Sequence, residues 1–202
     1  MKKFIMVCPL QPEGKLNKTK YEVGNNEELE FQDNTSFPII PVIHSYVEEN
    51  EEIEVLAILI DNDNARKNLD IFKQEMEELK AKKPFQYTIK EIETPYKETI
   101  DTHYELFVKL IEQMEEKNKL YACITFGTKP ISNIIMMALN YGYQMVENVT
   151  VECIVYGLMN HVEKTSVLYD STSMFYMNQT LNKIQRIKPK NPLNMVKMML
   201  DM

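Results

Sequence analysis

The sequence is short of positive charge: 23 lysines and arginines stand against 30 aspartates and glutamates, a formal charge of −7. A long nucleic acid needs a broad basic field, so a general nucleic-acid-binding surface is not expected. A small anionic ligand asks for less, namely a few N–H donors and one or two cations. Long apolar runs are also missing. Val55–Ile60 and Ile131–Leu139 fall well short of the roughly 20 residues that span a bilayer, so no membrane span is expected. The three histidines, His44, His103 and His161, have no second histidine or cysteine at helix-turn spacing, which leaves no zinc pattern. Cys8, Cys123 and Cys153 lack metal-type spacing too. Each lies in or at the end of an apolar run, where a free thiol packs as a small hydrophobe.

What is present suits one globular α/β domain: 44% apolar and 26% charged residues over a length that can bury a sizeable core. The N-terminal run stops at Pro9 and Gln11 with no small-residue cleavage site after it, and reads as a first buried strand of a cytoplasmic protein. Apolar runs of five to eight residues alternate with stretches of helical period, as in a parallel sheet flanked by helices. Strands are expected at Lys3–Cys8, Ile53–Ile60, Phe85–Ile92, Leu120–Thr125 and Thr150–Tyr156. Helices are expected at Asn64–Lys80, at Thr99–Lys117, from Pro130 to a close at Asn140–Gly142, and at Ser171–Gln185. Lys15–Asn34 reads as a mobile hairpin or loop. The domain is expected over residues 1–186, and 187–202 as a short tail whose Met195–Leu200 forms a helix.

In an open parallel sheet, ligands bind beyond the carboxyl ends of strands whose connections leave in opposite directions. Three loops qualify: Pro9-Leu10-Gln11, Asp61-Asn62-Asp63-Asn64, and Phe126-Gly127-Thr128-Lys129-Pro130. The third carries the most chemistry. Gly127 lets backbone approach a ligand, Thr128 offers a hydroxyl and an N–H, Lys129 a cation, and a helix starting near Pro130 points free N–H groups at the same place. Phosphate oxygens satisfy all of these donors, although a plain strand-to-helix turn with an exposed lysine has the same residues. The second glycine and lysine-serine/threonine spacing of a P-loop are missing. Asp61 and Asn62 offer groups for a ribose or an adenine edge, and Asx residues equally favour caps and turns. Tyr156 and Gly157, at the end of a strand, line the same edge, and His161 follows them in a loop.

The run Tyr121-Ala-Cys-Ile-Thr-Phe-Gly-Thr-Lys-Pro-Ile-Ser resembles the hallmark motif of CARF domains, the CRISPR-associated Rossmann-like sensors. Glu152-Cys-Ile-Val-Tyr-Gly and Tyr169-Asp-Ser-Thr-Ser-Met-Phe-Tyr are similar to the closing strand and the helix start of one large CARF subfamily. The resemblance runs over residues 1–185. It implies a Rossmann-like fold and a homodimer that binds cyclic oligoadenylate, most often the tetramer, across a two-fold axis. Gly127, Thr128 and Lys129 would hold phosphates, and Pro9, Leu10 and Gln11 would cover ribose or base. The tail after Arg186 departs from the family, with no ribonuclease effector and no Arg-x4–6-His motif.

Three activities stay open. One is a sensor read by a partner effector. Another is a metal-independent ring nuclease, in which Lys129 and Thr128 stabilise the charge of the displacement and the product ends in a 2′,3′-cyclic phosphate. The last is an ordinary Rossmann-type nucleotide enzyme, opposed by Cys-Pro-Leu-Gln-Pro where Gly-x-Gly-x-x-Gly would bind a dinucleotide, so no cofactor is expected. A symmetric ring needs two copies of the Lys129 turn, which an isologous contact supplies. Analytical ultracentrifugation at micromolar concentration should therefore give a dimer, and a monomer with and without cyclic tetra-adenylate would refute it.

Overall fold

The computed structural model describes residues 1–12, 14–160 and 165–199. These fall into two compact units, Met1–Asp170 and Ser171–Met202. The first is a Rossmann-like α/β layer structure. Its strands are β1 (Lys2–Val7), β2 (Tyr21–Val23), β3 (Glu52–Ile60), β4 (Gln86–Thr94), β5 (Lys119–Cys123), β6 (Thr150–Asn160) and β7 (Thr165–Asp170), and its helices α1 (Ile39–Tyr46), α2 (Asp63–Lys82), α3 (Ile100–Ile111) and α4 (Lys129–Met145). The second unit holds α5 (Thr172–Ile187) packed with α6 (Pro192–Met199). The division thus falls ahead of α5, a helix that the sequence reading placed within its first domain.

The seven strands run in the order β2-β7-β6-β5-β1-β3-β4. From β6 to β4 all neighbours are parallel, whereas β7 pairs antiparallel with β6 and parallel with β2. Strand β1 lies in the middle, with Phe4 opposite Val55 of β3 and Tyr121 of β5. All six of its residues are buried. Alternate residues feed two cores. Phe4, Met6, Val55, Ala57, Tyr121 and Cys123 share one cluster with Ile39, Ile40 and Ile43 of α1 and Leu69, Phe72 and Met76 of α2. Aromatic rings tie this side together: Phe4 stacks on Tyr121 at 4.5 Å between centroids, and Phe37 meets Phe72 edge-on at 5.2 Å. Ile5, Val7, Ile58 and Ala122 point the other way, where Leu106 and Leu110 of α3 and Ile135, Ala138 and Leu139 of α4 are buried.

The sheet's amino-terminal edge is closed by buried lysines. Lys3 is 3% exposed, and its ammonium meets Glu54 at 2.9 Å, Glu115 at 3.0 Å and the Gln113 carbonyl at 2.7 Å. Lys2 pairs with Glu51 at 2.7 Å and donates to the Tyr46 carbonyl. Such partners offset the desolvation that would otherwise forbid charges at these positions. They hold the Glu115 carboxyl below its ordinary value through the Lys3 hydrogen bond and charge.

Several elements differ from the sequence reading. Residues Tyr21–Val23 form no hairpin within Lys15–Asn34; they add a strand beside β7. Helix α1, read as no element, is apolar on nearly every side, and its Pro41 sits in the first turn where no N–H is needed. Helix α3 ends at Ile111 rather than Lys117, because residues 112–118 turn back, with the Asn118 carboxamide accepting from the Glu115 N–H and Lys117 at φ 61. Helix α4 runs through Gly142 to Met145, since Gly142 lets it approach Leu120: a Cβ there would lie 3.1 Å from Leu120 Cδ1. His161 lies outside the described residues. Among the described residues no helix is long and apolar enough to cross a membrane.

One buried carboxylate fastens the approach to α1. Glu75 of α2 is 4% exposed and accepts from the Thr35 hydroxyl and, at 3.2 Å, from the Ser36 N–H, with the Lys18 ammonium 3.8 Å away. Replacing Glu75 with alanine leaves those buried donors without an acceptor and should cost about 1–3 kcal/mol. Urea unfolding followed by circular dichroism measures this, and an unchanged midpoint would refute it.

Candidate functional site

Helices α1 and α2 cover one face of the sheet and α4 the other, so the connection after β1, which visits β2 at the far edge before returning through α1 to β3, and the connection after β5, which passes through α4 to β6, leave adjacent strand ends toward opposite faces. The Phe126–Pro130 turn and the Pro9–Gln11 loop are therefore neighbours. Gly127 makes the junction tight. It has φ +91, and a Cβ there would sit 3.1 Å from Val7 Cγ1 at the end of β1. Both facts demand glycine. Phe126 packs half-buried against the core on the α1/α2 side.

The turn is rich in unused donors. Thr128 is the N-cap of α4 with extended backbone, φ −83 and ψ 160, but its side chain does not cap. Asn62 and Thr99, by contrast, cap α2 and α3 through their own side chains. The first backbone bond into α4 is Ser132 N–H to the Thr128 carbonyl. Among the described residues, the N–H groups of Gly127, Thr128, Lys129 and Ile131 meet no acceptor. Pro130, the second helical residue, has none to offer. Lys129 is exposed and makes no ion pair or hydrogen bond among the described residues. The turn thus presents a helix's positive end with an exposed ammonium beside it, an arrangement that favours an anion.

The β1 loop is held from α2. Asn68, 2% exposed, donates from its amide to the Pro9 carbonyl at 2.8 Å and the Gln11 carbonyl at 3.0 Å, and Asn64 donates to the Leu10 carbonyl at 3.3 Å. Gln11 Oε1 is buried with no hydrogen-bond partner among the described residues. Asn62 is engaged as the cap of α2, accepting from the Asn64 N–H at 2.8 Å, while Asp61 is exposed and its N–H donates to the Thr94 carbonyl. On the other flank, the Gly157 N–H donates to Thr125 Oγ1 at 2.8 Å, joining β6 to the turn. Tyr156 and Gly157 do not end their strand. β6 continues past them to Asn160 in an antiparallel ladder with β7, which places Tyr156, 40% exposed, opposite Tyr169. A Cβ on Gly157 would approach Pro38 Cγ to 2.7 Å, so this glycine admits the entry of α1.

Two groups that the sequence left scattered also arrive here. The β4–α3 connection brings Glu98 to the first turns of α3 and α4, where Glu98, His103 and Thr102 line a small cleft together with Ile131. His103 Nε2 is 2.8 Å from Glu98 Oε2. The Glu98 carboxyl is held below its ordinary value by the Thr128 hydroxyl first and by His103 next. That hydroxyl is buried near the carboxylate without a partner at hydrogen-bonding geometry among the described residues. His103 follows Glu98 by five residues, a spacing that signals nothing along a helix. Asn68 left a fainter mark, as a polar residue beside Leu69 in the buried stripe of α2.

No family model matches the chain, and no curated protein matches it. The scaffolding of the β1 loop is open to direct test. Asn68→Ala strands two buried carbonyls and should destabilise the fold by about 1–3 kcal/mol. Hydrogen exchange should rise in residues 9–12 ahead of the sheet, and unchanged exchange there would show that Asn68 does not hold the loop.

Proposed function

We propose that this chain binds a cyclic oligoadenylate, most simply cyclic tetra-adenylate, as a CARF-type homodimer of type III CRISPR antiviral defence acting in the cytoplasm. The observation that carries the reading is the Gly127–Lys129 turn, whose four N–H groups and lysine meet no partner among the described residues, set beside the Pro9–Gln11 loop at the carboxyl edge of the sheet. Phosphate is the ligand group that uses such donors together, since its oxygens accept from backbone N–H and ammonium alike. The strand-turn-helix order around Gly-Thr-Lys-Pro agrees with the motif that the sequence resembles. The −7 charge suits a compact ligand over a nucleic-acid polymer.

Within this reading the roles divide by position. Gly127, Thr128 and Lys129 hold phosphate; Pro9, Leu10 and Gln11 border the ribose or base, with the buried Gln11 side-chain oxygen as an acceptor for a donor on the ligand. Tyr156 supplies an exposed ring at the flank. Asn62 uses its side-chain oxygen in the cap of α2 and keeps only its amide nitrogen, with exposed Asp61 beside it, for a ribose or adenine edge. The bound state is then either signalled to a partner effector or ended by cleavage of the ring.

Lys129→Ala removes one charge-assisted contact per subunit and should weaken cyclic tetra-adenylate binding by about 2–4 kcal/mol per dimer. That is roughly 30- to 1,000-fold in Kd. Isothermal titration calorimetry measures it, with unchanged circular dichroism as the control for folding. Equal affinity in the variant would remove the turn from the site, and no binding by the parent protein would overturn the reading.

A further inference from the structure

We propose that His103, gripped through Nε2 by Glu98, is the general base that opens the bound ring, and that Glu98 is its positioning residue. The inference rests on the cyclic oligoadenylate reading and decides between its two outcomes in favour of cleavage. It starts from the 2.8 Å contact between His103 Nε2 and Glu98 Oε2. An ionised carboxylate can only accept, so Nε2 must carry the proton in this pair. The neutral imidazole then has its lone pair on Nδ1, which meets no donor among the described residues. A carboxylate that fixes the tautomer of a histidine and leaves the other nitrogen free is the arrangement of a general base with its orienting group.

Position supports the same conclusion. The cleft lined by His103 and Glu98 is also lined by Ile131, two residues beyond Lys129, so base and cation belong to the same end of α4. Lys97 of the β4–α3 connection lines the same cleft, Asp101 lies in the first turn of α3, and Lys129 is the first residue of α4. A purely local explanation exists: Glu98 precedes the Thr99 cap, and its bond to His103 fastens the first turn of α3. That role requires neither the free Nδ1 nor the neighbouring donor-rich turn.

The reaction balances without a further reactant. His103 Nδ1 takes the proton of a ribose 2′-hydroxyl, the 2′-oxygen bonds to the adjacent phosphorus, and the bond from phosphorus to the 5′-oxygen breaks. The 5′-oxygen leaves with a proton returned from the imidazolium or from solvent, and the product is linear with a 2′,3′-cyclic phosphate. Lys129 and the N–H groups of the turn stabilise the charge gathered on the phosphoryl oxygens.

The test incubates excess protein with cyclic tetra-adenylate, separates the products by chromatography, and measures binding in parallel. The parent should bind and cleave. His103→Ala and His103→Gln should bind within about 3-fold of the parent and cleave about 100-fold more slowly or worse, the usual worth of a general base. Added imidazole should restore part of the cleavage in His103→Ala and none in Lys129→Ala, which a merely structural histidine would not produce. Glu98→Gln should bind normally and cleave more slowly than the parent. Parental cleavage by His103→Ala, or loss of cleavage that imidazole fails to restore while binding is intact, overturns the inference. A parent protein that binds the ring and leaves it whole overturns it too, and leaves the binding reading standing. A parent that does not bind overturns both.

Discussion

Strand β1 must be buried on both faces between two parallel neighbours, and the rest of the first unit answers to that constraint. Parallel strands require crossovers, and right-handed crossovers that diverge from a central strand deposit helices on both faces of the sheet. A strand so enclosed has no room for a solvated side chain, which is why its two lysines are held by Glu51, Glu54 and Glu115 at the edge. Its other end is free of such pairs. There the connections after β1 and β5 leave toward opposite faces, and Gly127 seats the second against Val7 with no side chain between. Opposite ends of one strand thus serve opposite purposes, closure by ion pairs and an opening lined with donors.

The opening is not uniform around its rim. On the α2 side, asparagines occupy the polar backbone: Asn62 caps, and Asn64 and Asn68 hold the β1 loop. On the α4 side the equivalent backbone donors meet no acceptor among the described residues, and the Thr128 side chain does not cap them. Helix starts α1 and α5 also lack a side-chain cap, and what sets α4 apart is that its uncapped first turn carries a lysine and follows a tight glycine turn at the sheet's carboxyl edge.

Much of the layered architecture was legible because it depends on local pattern. Apolar runs bounded by turn residues marked β1, β3, β4, β5 and the start of β6, and the spacing of Leu69, Phe72, Met76 and Leu79 marked α2. Helix α1 was not legible: Ile39-Ile40-Pro41-Val42-Ile43 is apolar without a period, so burial on all sides erased the pattern that identifies a surface helix. β2 and β7 escaped for a different reason, since three-residue and six-residue strands at a sheet edge owe their form to pairing with each other and with β6. The same split applies at the candidate site. The Gly127–Pro130 turn is one contiguous stretch and could be read directly, whereas the approach of Glu98 and His103 to α4 is a product of the β4–α3 connection.

The three cysteines carry a consequence of their own. Cys8, Cys123 and Cys153 are at most 3% exposed, and all face the α1/α2 core. Burial pushes the Cys8 thiol up to about 12 and the Cys123 thiol up to about 11. At neutral pH these thiols are held in the protonated form, and only the thiolate attacks an electrophile. Alkylating reagents therefore react with this protein at the tempo at which the layer between sheet and helices comes apart. The residues are, in effect, a clock built into the fold: the rate at which they are consumed counts openings of the central sheet, and it needs no added label.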